Sequence, residues 1–138
     1  MYCFDANVWI YYFDGRLPEH EPVADTVDPI LRERPLFTTT VLQMEALHYL
    51  HRSLDSQQHA DEFLDVDRAA VASLRPEDVQ RSNEILENFG DLGIGGRDAT
   101  VVAAMERNGV SSLLTHDTAL LQLGDELEWL SVIDPVTA

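Results

Sequence analysis

The apolar positions change period several times along the chain, and each change marks an element. Tyr2 to Phe4 is a continuous apolar run ending at Asp5, the pattern of a short buried strand. Asp5-Ala6-Asn7 then reads as a helix start ahead of apolar Val8 to Phe13, and Asp14-Gly15 with Pro18 ends it. Pro22 to Arg34 places Val23, Val27, Ile30 and Leu31 on one helical face, with Pro22 near the first turn and Pro35 as the stop. Leu36 to Thr39 is rich in β-formers and predicts a second strand. Val41 to Leu54 follows as an amphipathic helix with Leu42, Leu47, Leu50 and Leu54 as its core candidates.

The second half repeats the alternation. Ser56 to Asp67 has the pattern of a further helix, and Ala70 to Leu74 fits a short strand or a helix end equally. Arg75-Pro76-Glu77-Asp78 opens a helix to about Phe89, and Gly90 to Gly96 is a loop holding four glycines. Asp98 to Asn108 is an apolar helix closed by Gly109. Val110 to Leu114 predicts a strand that delivers Thr115-His116-Asp117, followed by a short helix over Thr118 to Leu123 and a last strand over Trp129 to Ile133. Strands separated by helices long enough to act as crossovers predict an α/β fold: a parallel sheet of four to five strands, covered by helices on both faces, in a single domain over residues 1–138.

Four acids stand out against this pattern because their surroundings are apolar. Asp5 ends the first strand, Glu45 lies in the first turns of the helix after the second, Asp98 begins an apolar helix, and Asp117 follows the strand through Leu114. In a parallel sheet, ligands bind beyond the carboxyl ends of the strands. Strand ends and helix starts share that edge, so the four carboxylates are expected to converge. Clustered carboxylates repel, and burial strengthens the repulsion. A divalent cation removes the conflict; Mg²⁺ or Mn²⁺, as one or two ions, takes oxygen ligands and can activate a retained water. Singly, each acid has a plainer role: Asp5 and Asp98 as helix caps, Asp117 at a turn, Glu45 as a solvated helix residue.

Charge modifies the picture. The chain of 138 residues carries 25 acidic and nine basic residues, a formal net charge of -16. All nine basic residues are Arg. Such a surface repels nucleic acid at low salt, but the Debye length falls to about 3 Å at 1 M salt. The acidic, lysine-free composition resembles proteins of salt-in halophiles. No apolar stretch approaches the ~20 residues of a membrane span, and no basic region leads an N-terminal apolar run, so a cytoplasmic protein is expected. The lone Cys3 lies in an apolar run and is expected to be a buried thiol.

Phe4-Asp5-Ala6-Asn7-Val8, Thr39 through Glu45, Arg97-Asp98-Ala99 and Leu114-Thr115-His116-Asp117 together resemble the PIN domain, in a pattern similar to the VapC toxins of toxin–antitoxin modules. The resemblance runs from Tyr2 to about Pro135. It implies a three-layer PIN-like fold and a metal-dependent endoribonuclease in which Asp5, Glu45, Asp98 and Asp117 are catalytic and metal-binding. It implies supporting roles for Asn7 and for Thr115, the hydroxyl residue beside the last acid. It also implies a homodimer, a cognate antitoxin and an RNA substrate. Family members that cut RNA usually carry Lys and Arg around the groove. Here Arg16, Arg52, Arg97 and Arg107 are the candidates for phosphate contacts, with Arg97 foremost because it adjoins Asp98; an ordinary surface ion pair is the alternative.

Other features carry less. Glu45 and His48 share a helix face, as in helical-bundle metal sites, but no second such pair exists; His48 and His51 read as a partly exposed face. His116 reads as a loop histidine facing water. Trp9, Tyr11 and Tyr12 read as core or dimer-interface residues. The glycine-rich stretch lacks the Lys of a phosphate-cradling loop. A phosphatase or phospho-receiver domain would share the strand-end Asp and Mg²⁺ but normally needs a Lys, which is missing. A non-catalytic interaction module with a vestigial site is the remaining alternative.

Overall fold

The computed structural model describes residues 1–66 and 69–138. Among these residues five strands form one sheet in the order β3-β2-β1-β4-β5, and every pairing is parallel. They are β1 (Tyr2–Phe4), β2 (Leu36–Thr39), β3 (Ala69–Ala72), β4 (Ser112–Leu114) and β5 (Ser131–Ile133). Seven helices connect them among the described residues: α1 (Ala6–Phe13), α2 (His20–Glu33), α3 (Thr40–Arg52), α4 (Gln57–Leu64), α5 (Pro76–Phe89), α6 (Gly96–Arg107) and α7 (Thr118–Glu126). The predicted α/β class and parallel sheet are therefore present, and the undecided Ala70 to Leu74 segment is an edge strand as far as Ala72, with Ser73 and Leu74 beyond its end. The predicted helix from Ser56 ends at Leu64; Asp67 lies outside the described residues.

Strand side chains alternate between two apolar layers, as the period of two requires. Cys3, Phe37 and Leu113 face a layer built with α5, α6 and α7, where Ile85, Val102 and Met105 are fully buried. Phe4, Leu36 and Leu114 face a layer built with α1 to α4, where Val8, Val23, Val27 and Leu50 are fully buried. Leu47 and Leu54, expected in the core, are only partly buried against that layer. Trp9 is a core residue, stacked edge-on against Phe4 and Phe63 with ring centroids 5.2 and 5.1 Å apart.

Two helices depart from their sequence signals. α2 continues through Pro29, where the ring removes one backbone donor; the apolar face from Val23 to Leu31 holds it together. α6 begins at Gly96 with Gly95 as its N-cap, so Asp98 is the third helical residue and not the cap. The glycine-rich stretch is partly ordered as a 3-10 turn over Gly90–Leu92, closed by Gly93 at φ 89°.

Strand order places the site. β2 lies on one side of β1 and β4 on the other, so the carboxyl ends of β1 and β4 flank the point where the connections leave in opposite directions. Open parallel sheets form their ligand crevice at such a switch point. Asp5 directly follows β1, and Thr115 directly follows β4.

Candidate active site

Each acid is set in place by a local structural cause. Asp5 caps α1: its Oδ1 accepts from Ala6 N–H at 2.8 Å. Asp117 caps α7, its Oδ1 accepting from Ala119 and Leu120 N–H at 2.8 and 3.2 Å. Thr39 caps α3 through a bond from Leu42 N–H at 3.1 Å, which fixes the helix phase that brings Glu45 round to the sheet edge. Asp98 projects from the first turn of α6, where the exposed backbone N–H groups favour negative charge. The capping role foreseen for Asp5 is thus real, Asp117 caps a helix where only a turn was expected, and Asp98, expected as a cap, lies inside the first turn of its helix instead.

The four acids line one pocket of about 610 Å³, together with Asn7, Arg97, Gly95 and Gly96. Behind them Thr115 is fully buried and joins the floor. Its hydroxyl donates to Asp5 Oδ2 at 2.6 Å and accepts from Asp117 N–H at 3.0 Å. Asn7 Nδ2 reaches Asp5 Oδ2 and Thr115 Oγ1 at 3.5 and 3.4 Å, while its Oδ1 accepts from His116 N–H at 3.3 Å. At the rim, Arg97 Nε pairs with Glu45 Oε1 at 3.3 Å, yet the Arg97 side chain stays 76% exposed.

The electrostatics show the cost of this convergence. Burial pushes the Asp98 carboxyl up to about 7, and the charges of Asp5, Asp117 and Glu45 push in the same direction against the pull of Arg97. Burial also raises Asp5, opposed by the bonds from Thr115 and Ala6 and assisted by the charge of Asp117. Glu45 is raised by burial and by Asp5, with Arg97 opposing. Among the described residues no three acidic, His or Cys side chains already stand at ligand distance around a common point. The donor set nonetheless fits a hard divalent cation: all oxygen, negatively charged, and repelled into partial protonation when no cation is bound.

Several other expectations need correction. His116 does not face water freely: Nδ1–H donates to Asp134 at 3.0 Å and the ring packs edge-on against Tyr11. Arg107 is bound to buried Asp78 at 2.8 and 2.9 Å, which occupies it as a phosphate contact. Arg16 makes the same two-pronged contact with buried Asp14 at 2.9 and 2.8 Å. Neither Asp14 nor Asp78 was singled out by sequence. Each looks like a turn or helix-start acid; the fold brings Arg107 to Asp78 from 29 residues away, whereas the Arg16 that meets Asp14 lies two residues along the chain. Cys3 is fully buried as expected, and burial pushes its thiol well above the usual range.

A five-stranded parallel sheet with an acid-lined crevice at its switch point places this chain among the open α/β folds that bind ligands beyond the carboxyl ends of their strands. The PIN domain model matches residues 2–126, and the chain belongs to that family. No curated protein sequence matches it. Three solved structures illustrate the likeness of fold. VapC20 of Mycobacterium tuberculosis, a sarcin–ricin loop cleaving toxin, is 16% identical with a TM-score of 0.75, over 90% of this chain and 95% of that one. VapBC2 from Rickettsia felis, bound to a promoter DNA fragment, is 11% identical with a TM-score of 0.69, over 96% and 97%. DNA-bound VapBC from Salmonella typhimurium is 14% identical with a TM-score of 0.67, over 97% of each chain.

Proposed function

We propose that this chain is a Mg²⁺- or Mn²⁺-dependent endoribonuclease and the toxin of a VapBC-type toxin–antitoxin pair. The observation that carries the reading is the meeting of Asp5, Glu45, Asp98 and Asp117 in one pocket at the switch point of the sheet. The family and the likeness to VapC structures support it. Asp5, Asp98 and Asp117 would hold the ion or ions, and Glu45 would ligate through water or orient the attacking water. When bound, the cation supplies Lewis-acid stabilisation of the phosphate charge and a water of lowered pKa.

The chain's own groups do the positioning. Thr115 orients one Asp5 oxygen, leaving lone pairs of both oxygens available to a ligand. Asn7 braces the same oxygen from the side. Arg97, exposed at the rim beside Glu45, is placed to meet the incoming phosphate. The partners in this reading are an RNA substrate, a cognate antitoxin and a second copy of the chain. The acidic, Arg-only surface suits concentrated salt inside the cell.

The test is incubation of the purified protein with total cellular RNA. Fragments should appear with Mn²⁺, vanish with EDTA, and be absent for Asp98→Asn. Expression without an antitoxin should arrest growth, and Asp98→Asn should relieve the arrest. RNA left intact across Mg²⁺ and Mn²⁺ at low and molar salt would overturn the reading.

A further inference from the structure

A second groove, of about 540 Å³, opens off the acidic pocket between α1 and α3 and shares Ala6, Ile10, Glu45 and Arg97 with it. Its far end is lined by His48, Tyr49, Arg52 and Ser53. Glu45, His48 and Arg52 are spaced i, i+3 and i+7, which puts them along one face of α3. At 1.5 Å per residue, Arg52 stands about 10 Å along the helix from Glu45. Arg16 reaches the same end, its Nη2 donating to Ser53 O at 3.2 Å.

The arginines of this chain differ in how far they are committed. Arg81 pairs with Glu84 and Glu106, Arg107 with Asp78, and Arg16 with Asp14. Arg52 has no carboxylate partner among the described residues and is exposed. In a chain of net charge -16, an unpaired cation beside a cluster of carboxylates is a placement that calls for a reason. The dipole of α3 favours a cation in the last turn. That accounts for the turn, but not for the side of the helix shared with Glu45.

We propose that this groove holds the sugar–phosphate backbone of the RNA strand next to the cleaved linkage, with Arg97 and Arg52 contacting successive phosphates and His48 between them. The inference rests on the nuclease reading and gives it a direction: the strand leaves the acidic pocket along α1 and α3. Arg107, held against Asp78, takes no part.

Binding of a labelled, mixed-sequence single-stranded oligoribonucleotide to the Asp98→Asn protein tests it, with folding checked by circular dichroism at each salt concentration. Loss of one phosphate contact lowers the slope of log affinity against log salt by about 0.7. Arg52→Ala should therefore bind more weakly, with a defect that shrinks about fivefold for each tenfold rise in salt. Arg52→Lys should keep the slope. Arg34→Ala is the control: it removes the same charge ahead of β2, at the opposite edge of the sheet. Equal slopes for Arg52→Ala and Arg34→Ala, or no binding by the Asp98→Asn protein, would overturn the groove assignment. Whether the nuclease reading falls with it is decided separately, by the action of the wild-type protein on total RNA.

Discussion

The Thr115 hydroxyl donates to Asp5 Oδ2 at 2.6 Å across 110 residues of sequence, and Thr115 Oγ1 itself accepts from Asp117 N–H at 3.0 Å. One buried side chain thus ties the residue that ends β1 to the acid that opens α7. Removing the hydroxyl withdraws a bond that stabilises ionised Asp5 and frees a backbone donor beside Asp117. Thr115→Val is expected to weaken Mn²⁺ binding about 10- to 100-fold, the usual effect of losing a group that orients a ligand. Thr115→Ser should stay within a few-fold of wild type. Isothermal calorimetry checks both; equal affinities for Val and wild type would show that the bond does not orient Asp5.

Asp98 predicts opposite behaviour with and without the cation. Its carboxyl is pushed up to about 7, so the folded protein holds that proton more tightly than the unfolded chain does. The Asp98 contribution to metal-free stability is therefore full below the ordinary carboxylate range near 4 and is lost as pH rises toward 7. Asp98→Asn keeps the shape without the charge and should melt higher than wild type in EDTA at pH 8. With Mn²⁺ the order should reverse, because only wild type gains stability from the ion. Melting curves in the two media provide the check; a variant that melts lower in both would contradict the account.

How legible this site was in the sequence differs between its members. Asp5 was readable because it ends a short apolar run, Asp117 because it closely follows another that stops at Leu114, and Glu45 because Leu36 to Thr39 and the following helix have clear periods. The start of α6 was misplaced by two residues because Gly95-Gly96 begins it without the side-chain cap that sequence reading looks for. β3 was ambiguous because Ala69–Ala72 is a short edge strand whose residues Ala70 and Val71 are both exposed, which destroys the alternation. The order of strands was not readable at all, since side-chain period says nothing about which neighbour a strand takes. Contacts that bury a charge were equally invisible. Asp78 meets Arg107 29 residues away, and Asp14 meets Tyr49 35 residues away.

That buried Asp14 makes a prediction at acid pH. Its carboxylate accepts two bonds from the Arg16 guanidinium, one from the Arg16 backbone N–H and one from Tyr49 O–H at 2.7 Å, with the Arg16 side chain the largest influence, and is held far below the usual carboxylate range. A depressed folded value means that the unfolded chain takes up the proton first. The stabilisation is complete above about pH 5 and is lost progressively as pH falls through 4 and below. Asp14→Asn should flatten the acid limb of a plot of stability against pH, measured by urea denaturation, while lowering the plateau at neutral pH. An acid limb as steep as that of wild type would show that other carboxylates govern acid unfolding.

Gly124 sets two ordinary rules against each other. It sits inside α7, where Ala would be favoured over Gly by about 1 kcal/mol on helix propensity alone. A Cβ at this position, however, would stand 2.6 Å from Val132 Cγ2 and 3.0 Å from Val132 Cβ on β5. Val132 is β-branched and has little rotamer freedom with which to yield. Overpacking of this kind typically costs about 1–3 kcal/mol, so contact should outweigh propensity and Gly124→Ala should destabilise the protein. Adding Val132→Ala should recover part of the loss, because the second substitution removes the methyl group that the first one meets. Urea denaturation of the two single variants and the double variant measures the coupling. A Gly124→Ala protein more stable than wild type would mean that α7 can move off β5, and that the close approach of helix and strand beyond Asp117 is not what fixes the helix in place.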